Sequence, residues 1–124
     1  MNILICGIES PLGTTFCSTL AHLPFQCTVL AADTLAVISL KDLILQLQEQ
    51  QISLILNLDH RPFSTSAKEL EQAYVQIPER LALAAASVNA TMLQLSDTKV
   101  FAGRANGSYR ESDDPDTQVP YGAL

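Results

Sequence analysis

This chain has no tryptophan, only three cysteines and few basic residues, and each shortage narrows what it can be. Without tryptophan its own fluorescence background is low. The cysteines at 6, 17 and 27 form no CxxC pair. They fall in apolar or helical runs, where Cys behaves as a small core hydrophobe, so all three are expected as buried free thiols. Free thiols suit a reducing, cytoplasmic setting. Seven Lys and Arg stand against thirteen Asp and Glu, a net charge of −6. Nucleic acid and anionic membranes favour a basic face, so neither is expected as the partner. No apolar run approaches the roughly 20 residues of a membrane span, and no basic stretch precedes an apolar one as in a signal peptide.

What is present is a 124-residue chain with 48% hydrophobic residues, enough for one globular domain with a real core. Apolar runs alternate with helical patterns. "NILICG" (2–7), "CTVLAAD" (27–33), "ISLILNL" (52–58) and "TMLQLS" (91–96) read as strands. A helix follows Ser10 and Pro11, a good cap and a good first helical residue, with Leu12, Phe16 and Leu20 expected on its buried face. A second runs over 39–50 behind Ser39, with Leu40, Leu43 and Leu47 in one stripe. A third extends from about Ser66 to Val88 and is interrupted at Pro78. From 98 to 124 the chain is polar and reads as a long loop, including "ESDDPD", four carboxylates in six residues that suit a solvated segment.

Strands separated by helices must run parallel, and strands buried on both faces read as continuous apolar runs. The expected fold is therefore α/β: a single Rossmann-like domain of three layers with about four parallel strands in the order 3-2-1-4. Ligands on such sheets bind beyond the carboxyl ends of the strands, at the switch point, expected here between strands 1 and 4.

The candidate residues lie at those ends. Gly7 allows a sharp turn after the first strand. Gly13 allows close helix-to-strand packing. The helix start at Pro11 and Leu12 offers a positive dipole end to a pyrophosphate. Ser10 occupies the middle position of this pattern, where its Cβ could crowd the phosphates or its hydroxyl donate to them. Asp33, twenty residues after Gly13, can accept hydrogen bonds from an adenosine ribose, and no Arg follows it closely to mark a 2′-phosphate. Asn57 ends the third strand within "NLDHRPF", where His60 and Arg61 read as an exposed polar turn. Ser96, Asp97 and Thr98 follow the fourth strand, beside a nicotinamide if one is bound. No metal site is apparent.

The segment "KVFAGRANGSYRESDDPDTQVPYG" resembles the V-F-D-G…Y-x-E-x-D-x-P…P…Y-G pattern of dTDP-4-dehydrorhamnose reductase and its relatives, in the extended branch of the short-chain dehydrogenase/reductases. Val100, Phe101, Gly103, Tyr109, Glu111, Asp113, Pro115, Tyr121 and Gly122 match it. "LILNL" resembles the family strand ending Asn-Ala-Ala, with Asn57 on the asparagine, and Pro78, Leu81 and Ala82 fit the long helix. The resemblance covers essentially the whole chain.

It implies a cofactor, NADP or NAD, and reduction of the 4-keto group of a nucleotide-linked deoxysugar. In the family a Ser or Thr after the fourth strand, a Tyr, and a Lys four residues beyond the Tyr carry the proton chemistry. Tyr121 falls on that tyrosine. The departures are Ser10 for the middle glycine, Tyr74 for a helix asparagine, and Asp97 where the catalytic hydroxyl belongs, with Ser96 and Thr98 as neighbours. The lysine position follows Leu124. A degenerate or truncated relative is therefore expected, one that binds a dinucleotide without full catalytic machinery. The alternative is a non-catalytic interaction or regulatory module. Some relatives act as regulatory subunits, and the fourth strand offers an exposed edge. Association is expected there, as a homo-oligomer or with a partner chain.

Overall fold

A computed structural model describes residues 1–60, 66–96 and 109–114. In chain order the elements are β1 (Asn2–Cys6), α1 (Pro11–Leu20), β2 (Gln26–Leu30), α2 (Ala32–Val37), α3 (Leu40–Glu49), β3 (Leu54–Asn57), α4 (Ala67–Glu71), a π-helical turn (Gln72–Gln76), α5 (Ile77–Val88) and β4 (Thr91–Gln94). All three strand pairings are parallel, as the expected α/β class requires.

The strand order is β2-β1-β3-β4, which corrects the expected 3-2-1-4. β3 does not extend the sheet beyond β2 but lies against the other side of β1. Burial explains the choice. Ile55, Leu56 and Asn57 are all buried, so β3 needs a neighbour on each side, whereas β2 keeps Gln26, Cys27 and Val29 exposed and suits an edge. The connection out of β2 therefore reverses direction and crosses behind β1. The switch point moves with it, to the gap between β1 and β3.

The two faces of the sheet are covered unequally. Leu4, Cys6, Leu30 and Ile55 point to one side and pack with Leu43 and Leu47 of α3 and Leu81, Ala84 and Ala85 of α5. Ile3, Ile5, Leu56 and Leu58 face the other side, under α1. There α1 does not present the expected stripe. Leu12 and Phe16 are 38% and 39% exposed, and it is Gly13, Cys17 and Leu20 that turn inward. The cause is the approach at Gly13, where a Cβ would lie 2.1 Å from the Gly7 carbonyl oxygen. Contact that close rotates the helix so that its glycine faces the strand. The cysteines follow the same logic. Cys6 is buried in the central strand as expected, but Cys17 is half-buried and Cys27, on the edge strand, is exposed.

Local sequence accounts for the helix ends. Ser39 caps α3 by accepting from the Asp42 N–H, and Ser66 and Glu69 form a reciprocal capping box on α4. Leu43 and Leu47 are buried as the stripe predicts, while Leu40 is exposed. The expected interruption at Pro78 takes a specific form. Proline has no N–H to give the preceding turn, and the π turn of 72–76 precedes α5, which carries Pro78 in its first turn. Asn89, at φ 56°, ends α5 in the left-handed region.

Candidate functional site

The site is built on the loop from β1 to α1. Gly7 has φ +83°, and a Cβ there would meet the Asp59 backbone nitrogen at 2.3 Å. Only glycine satisfies both the conformation and the space. The loop then closes on itself: the Ser10 N–H donates to the Gly7 carbonyl at 3.1 Å. The Thr14 hydroxyl reaches back to the Ile8 and Ser10 carbonyls at 2.8 and 3.1 Å.

Ser10 is turned into this loop and is 5% exposed. Its hydroxyl lies 2.7 Å from the Gly7 carbonyl and 2.9 Å from the Leu58 carbonyl, with one proton to serve both. The same oxygen accepts the Gly13 N–H at 3.1 Å, which makes Ser10 the N-cap of α1. The hydroxyl is committed within the protein. Of the donors at the start of α1, Pro11 has none and Gly13 has spent its own. Among the described residues no hydrogen bond engages the Leu12 N–H, so it is the donor left at this helix start.

Two carboxylates stand at this crest. Glu9 is exposed in the loop and Asp59 is buried just past β3. Both act on Cys6 beneath them. Burial first, then Asp59 and Glu9, push the Cys6 thiol up to about 12, so it stays protonated. Sequence reasoning passed over Glu9 and Asp59. The signal for Asp59 was available, since a carboxylate two residues beyond a buried strand end must lie beside whatever loop crosses there.

Asn57 is completely buried. Its amide nitrogen donates to Gln94 Oε1 at 2.9 Å, across the β3–β4 pair where these two residues are in register. Among the described residues its Oδ1 has no hydrogen-bond partner. The side chain thus ties the ends of two strands from inside the sheet. Asp33 does not end strand 2, because β2 stops at Leu30. It lies exposed in the first turn of α2 and borders a small cleft of about 90 Å³ shared with Glu69, Gln72 and Ala73. Ser96 is exposed, two residues past the end of β4. The structure thus gathers Gly7, Ser10, Pro11, Leu12, Gly13 and Asn57 at the β1–β3 crest and sets Asp33 beyond the adjacent end of β2. Thr98, Asp97, Arg61 and Tyr121 lie outside the described residues, as does most of the 98–124 segment. Among the described residues no His, Cys, Asp and Glu cluster could hold a metal ion, and no helix is long and apolar enough to cross a membrane.

None of the curated proteins matches the chain. Among solved structures, a dTDP-4-dehydrorhamnose reductase from Clostridium acetobutylicum is 26% identical with a TM-score of 0.81, covering 99% of this chain and 45% of that one. The corresponding reductase from Yersinia enterocolitica is 27% identical with a TM-score of 0.74, covering 98% of this chain and 44% of its own. A Bacillus anthracis dTDP-4-dehydrorhamnose reductase in complex with NADP shares the fold at 21% identity and a TM-score of 0.81, covering 98% of this chain and 45% of that one. The chain thus spans under half the length of these relatives. The family described as the RmlD substrate binding domain matches residues 1–123, and the chain belongs to that family.

Proposed function

We propose that the chain binds a nicotinamide dinucleotide, NADP or NAD, across the β1–β3 crest, and that it does so without complete reductase chemistry of its own. The observation that carries this reading is the close contact of Gly13 with Gly7, the latter at φ +83°, which builds a tight strand–loop–helix cradle at the switch point. The relative from Bacillus anthracis with NADP supports it by shared fold. The loop backbone from Gly7 to Leu12 would hold the pyrophosphate, and Asp33 would face the adenosine ribose. When bound, the cofactor supplies a hydride, and by the same kinship the substrate class is a nucleotide-linked keto-deoxysugar.

Two features of this chain weaken the grip. Ser10 and Pro11 leave the helix start poor in free N–H groups, and Glu9 sets a negative charge beside the phosphates. Asp97, standing where relatives place the catalytic hydroxyl, argues against unaided reduction, since a carboxylate is ionised at neutral pH and has no proton to donate to a carbonyl oxygen. Titration of the purified chain with NADH and NADPH, followed by nicotinamide fluorescence, tests the binding. Saturation is expected; no signal at millimolar cofactor would refute it.

A second reading is a protein-interaction module, as a homo-oligomer or with a partner chain. It is favoured by β4, which among the described residues is an edge strand, without proline or charge, whose Leu93 is 55% exposed. Light scattering after size exclusion tests it, with Leu93→Lys expected to reduce any association.

A further inference from the structure

Two of the three cysteines occupy the thinly covered face of the sheet. Cys27 lies on the edge strand β2 directly beside Ile3 of β1, so its side chain projects to the same side as Ile3. On that side Cys17 descends from α1 onto the cluster of Ile3, Ile5, Leu56 and Leu58. Cys17 and Cys27 therefore lie on one face of the sheet, the first carried by α1 over the cluster that contains Ile3 and the second in register with Ile3 on the edge strand. Their proximity has an electrical consequence: burial, and then Cys27, raise the Cys17 thiol above its usual range. Both are free, Cys27 is exposed and Cys17 is partly accessible, whereas Cys6 is sealed in the core.

We propose that Cys17 and Cys27 are a redox pair, which hydrogen peroxide converts into an intramolecular disulfide joining α1 to β2. Cys27, the exposed thiol, reacts first: its thiolate attacks the peroxide O–O bond, giving a sulfenic acid and releasing water once the leaving oxygen is protonated. The Cys17 thiolate then attacks that sulfur, forming the S–S bond and releasing a second water. Two thiols and one peroxide become one disulfide and two waters, and the peroxide takes up both electrons. The bond would fasten the helix that carries the phosphate loop to the edge strand that leads to Asp33. Because Cys17 resists ionisation, closure is expected to quicken as pH rises from neutrality.

The test is to treat the full chain with one equivalent of hydrogen peroxide at pH 8 and count thiols before and after. Trypsin leaves all three cysteines within residues 1–41, so chymotrypsin, which cuts after Leu20 and Phe25, is used for mapping. The expected result is a loss of two hydrogens in mass, a thiol count falling from three to one, and Cys17 and Cys27 peptides joined unless reduced. The remaining thiol, Cys6, should be alkylated only after denaturation, which also shows that the chain stayed folded. Yield should not depend on protein concentration, and Cys27→Ser should leave Cys17 alkylatable after the same treatment. A bond found only between chains, or Cys27 oxidised to sulfinic acid while Cys17 remains alkylatable, would overturn the proposal.

Discussion

The Ser10 hydroxyl lies 2.9 Å from the Leu58 carbonyl oxygen, so one buried side chain joins the β1–α1 loop to the chain leaving β3. A glycine there, the usual residue in such a loop, could not make this link. Ser10 also consumes the Gly13 N–H, so the device that holds the loop in place reduces its capacity for an anion.

The two effects separate in Ser10→Gly. Loss of the cap costs only a few tenths of a kcal/mol when glycine replaces serine, but loss of the buried hydroxyl's bond to the Gly7 and Leu58 carbonyls should bring the total to about 1 kcal/mol, read from urea unfolding. Release of the Gly13 N–H should meanwhile tighten dinucleotide binding roughly tenfold, the worth of one added hydrogen bond to a charged group. Weaker binding in this variant would mean that Ser10 supports the ligand site.

Gly13→Ala tests the cradle itself. Its new Cβ would stand 2.1 Å from the Gly7 oxygen and 2.8 Å from Ile8 Cα, both backbone atoms that cannot rotate away. The expected cost is roughly 3 kcal/mol. Equilibrium unfolding that shows a change under about 1 kcal/mol would contradict a close contact here.

Among the described residues the buried Asn57 Oδ1 has no partner, so Asn57→Leu should be close to neutral in stability although it removes a hydrogen bond. Asn57→Asp should behave differently. Burial would raise the carboxyl pKa in the folded state, so the folded form holds its proton longer than the unfolded one. Stability of this variant should therefore be greatest at acidic pH and fall as pH rises past the usual carboxylate range. Unfolding curves at pH 4 and pH 7 check the sign.

Cys6 makes a prediction at the alkaline end. Its folded pKa is raised from 9.0 to about 12, so the folded state retains a proton that the unfolded state gives up. The stability this contributes is complete below pH 9 and is lost progressively as pH rises toward about 12. Denaturant unfolding between pH 8 and pH 10.5 should show the decline, with a shallower slope in Cys6→Ala.

The layout of the crest was legible in the sequence where local rules govern. Gly7 before Ser10-Pro11 announces a turn and a capped helix, because φ > 0 and N-cap chemistry depend on a few adjacent residues. The four apolar runs likewise read as parallel strands, since the helical stretches between them leave no room for hairpins. The sequence by itself thus determined the class of fold, the caps at Ser10 and Ser39, and a break near Pro78.

Only the tertiary structure decided which strands are neighbours, because the preference of β3 for the inside of the sheet over the edge is a matter of competing burial. It also decided that α1 turns Gly13, Cys17 and Leu20 inward, since one backbone contact between Gly13 and Gly7 outweighs the apolar pattern of Leu12 and Phe16. The Ser10–Leu58 and Asn57–Gln94 links join residues far apart in the chain, and the strand register sets Cys27 on the face that α1 covers with Cys17. Local propensity carries no information about such partners; the packing of the whole sheet brings them together.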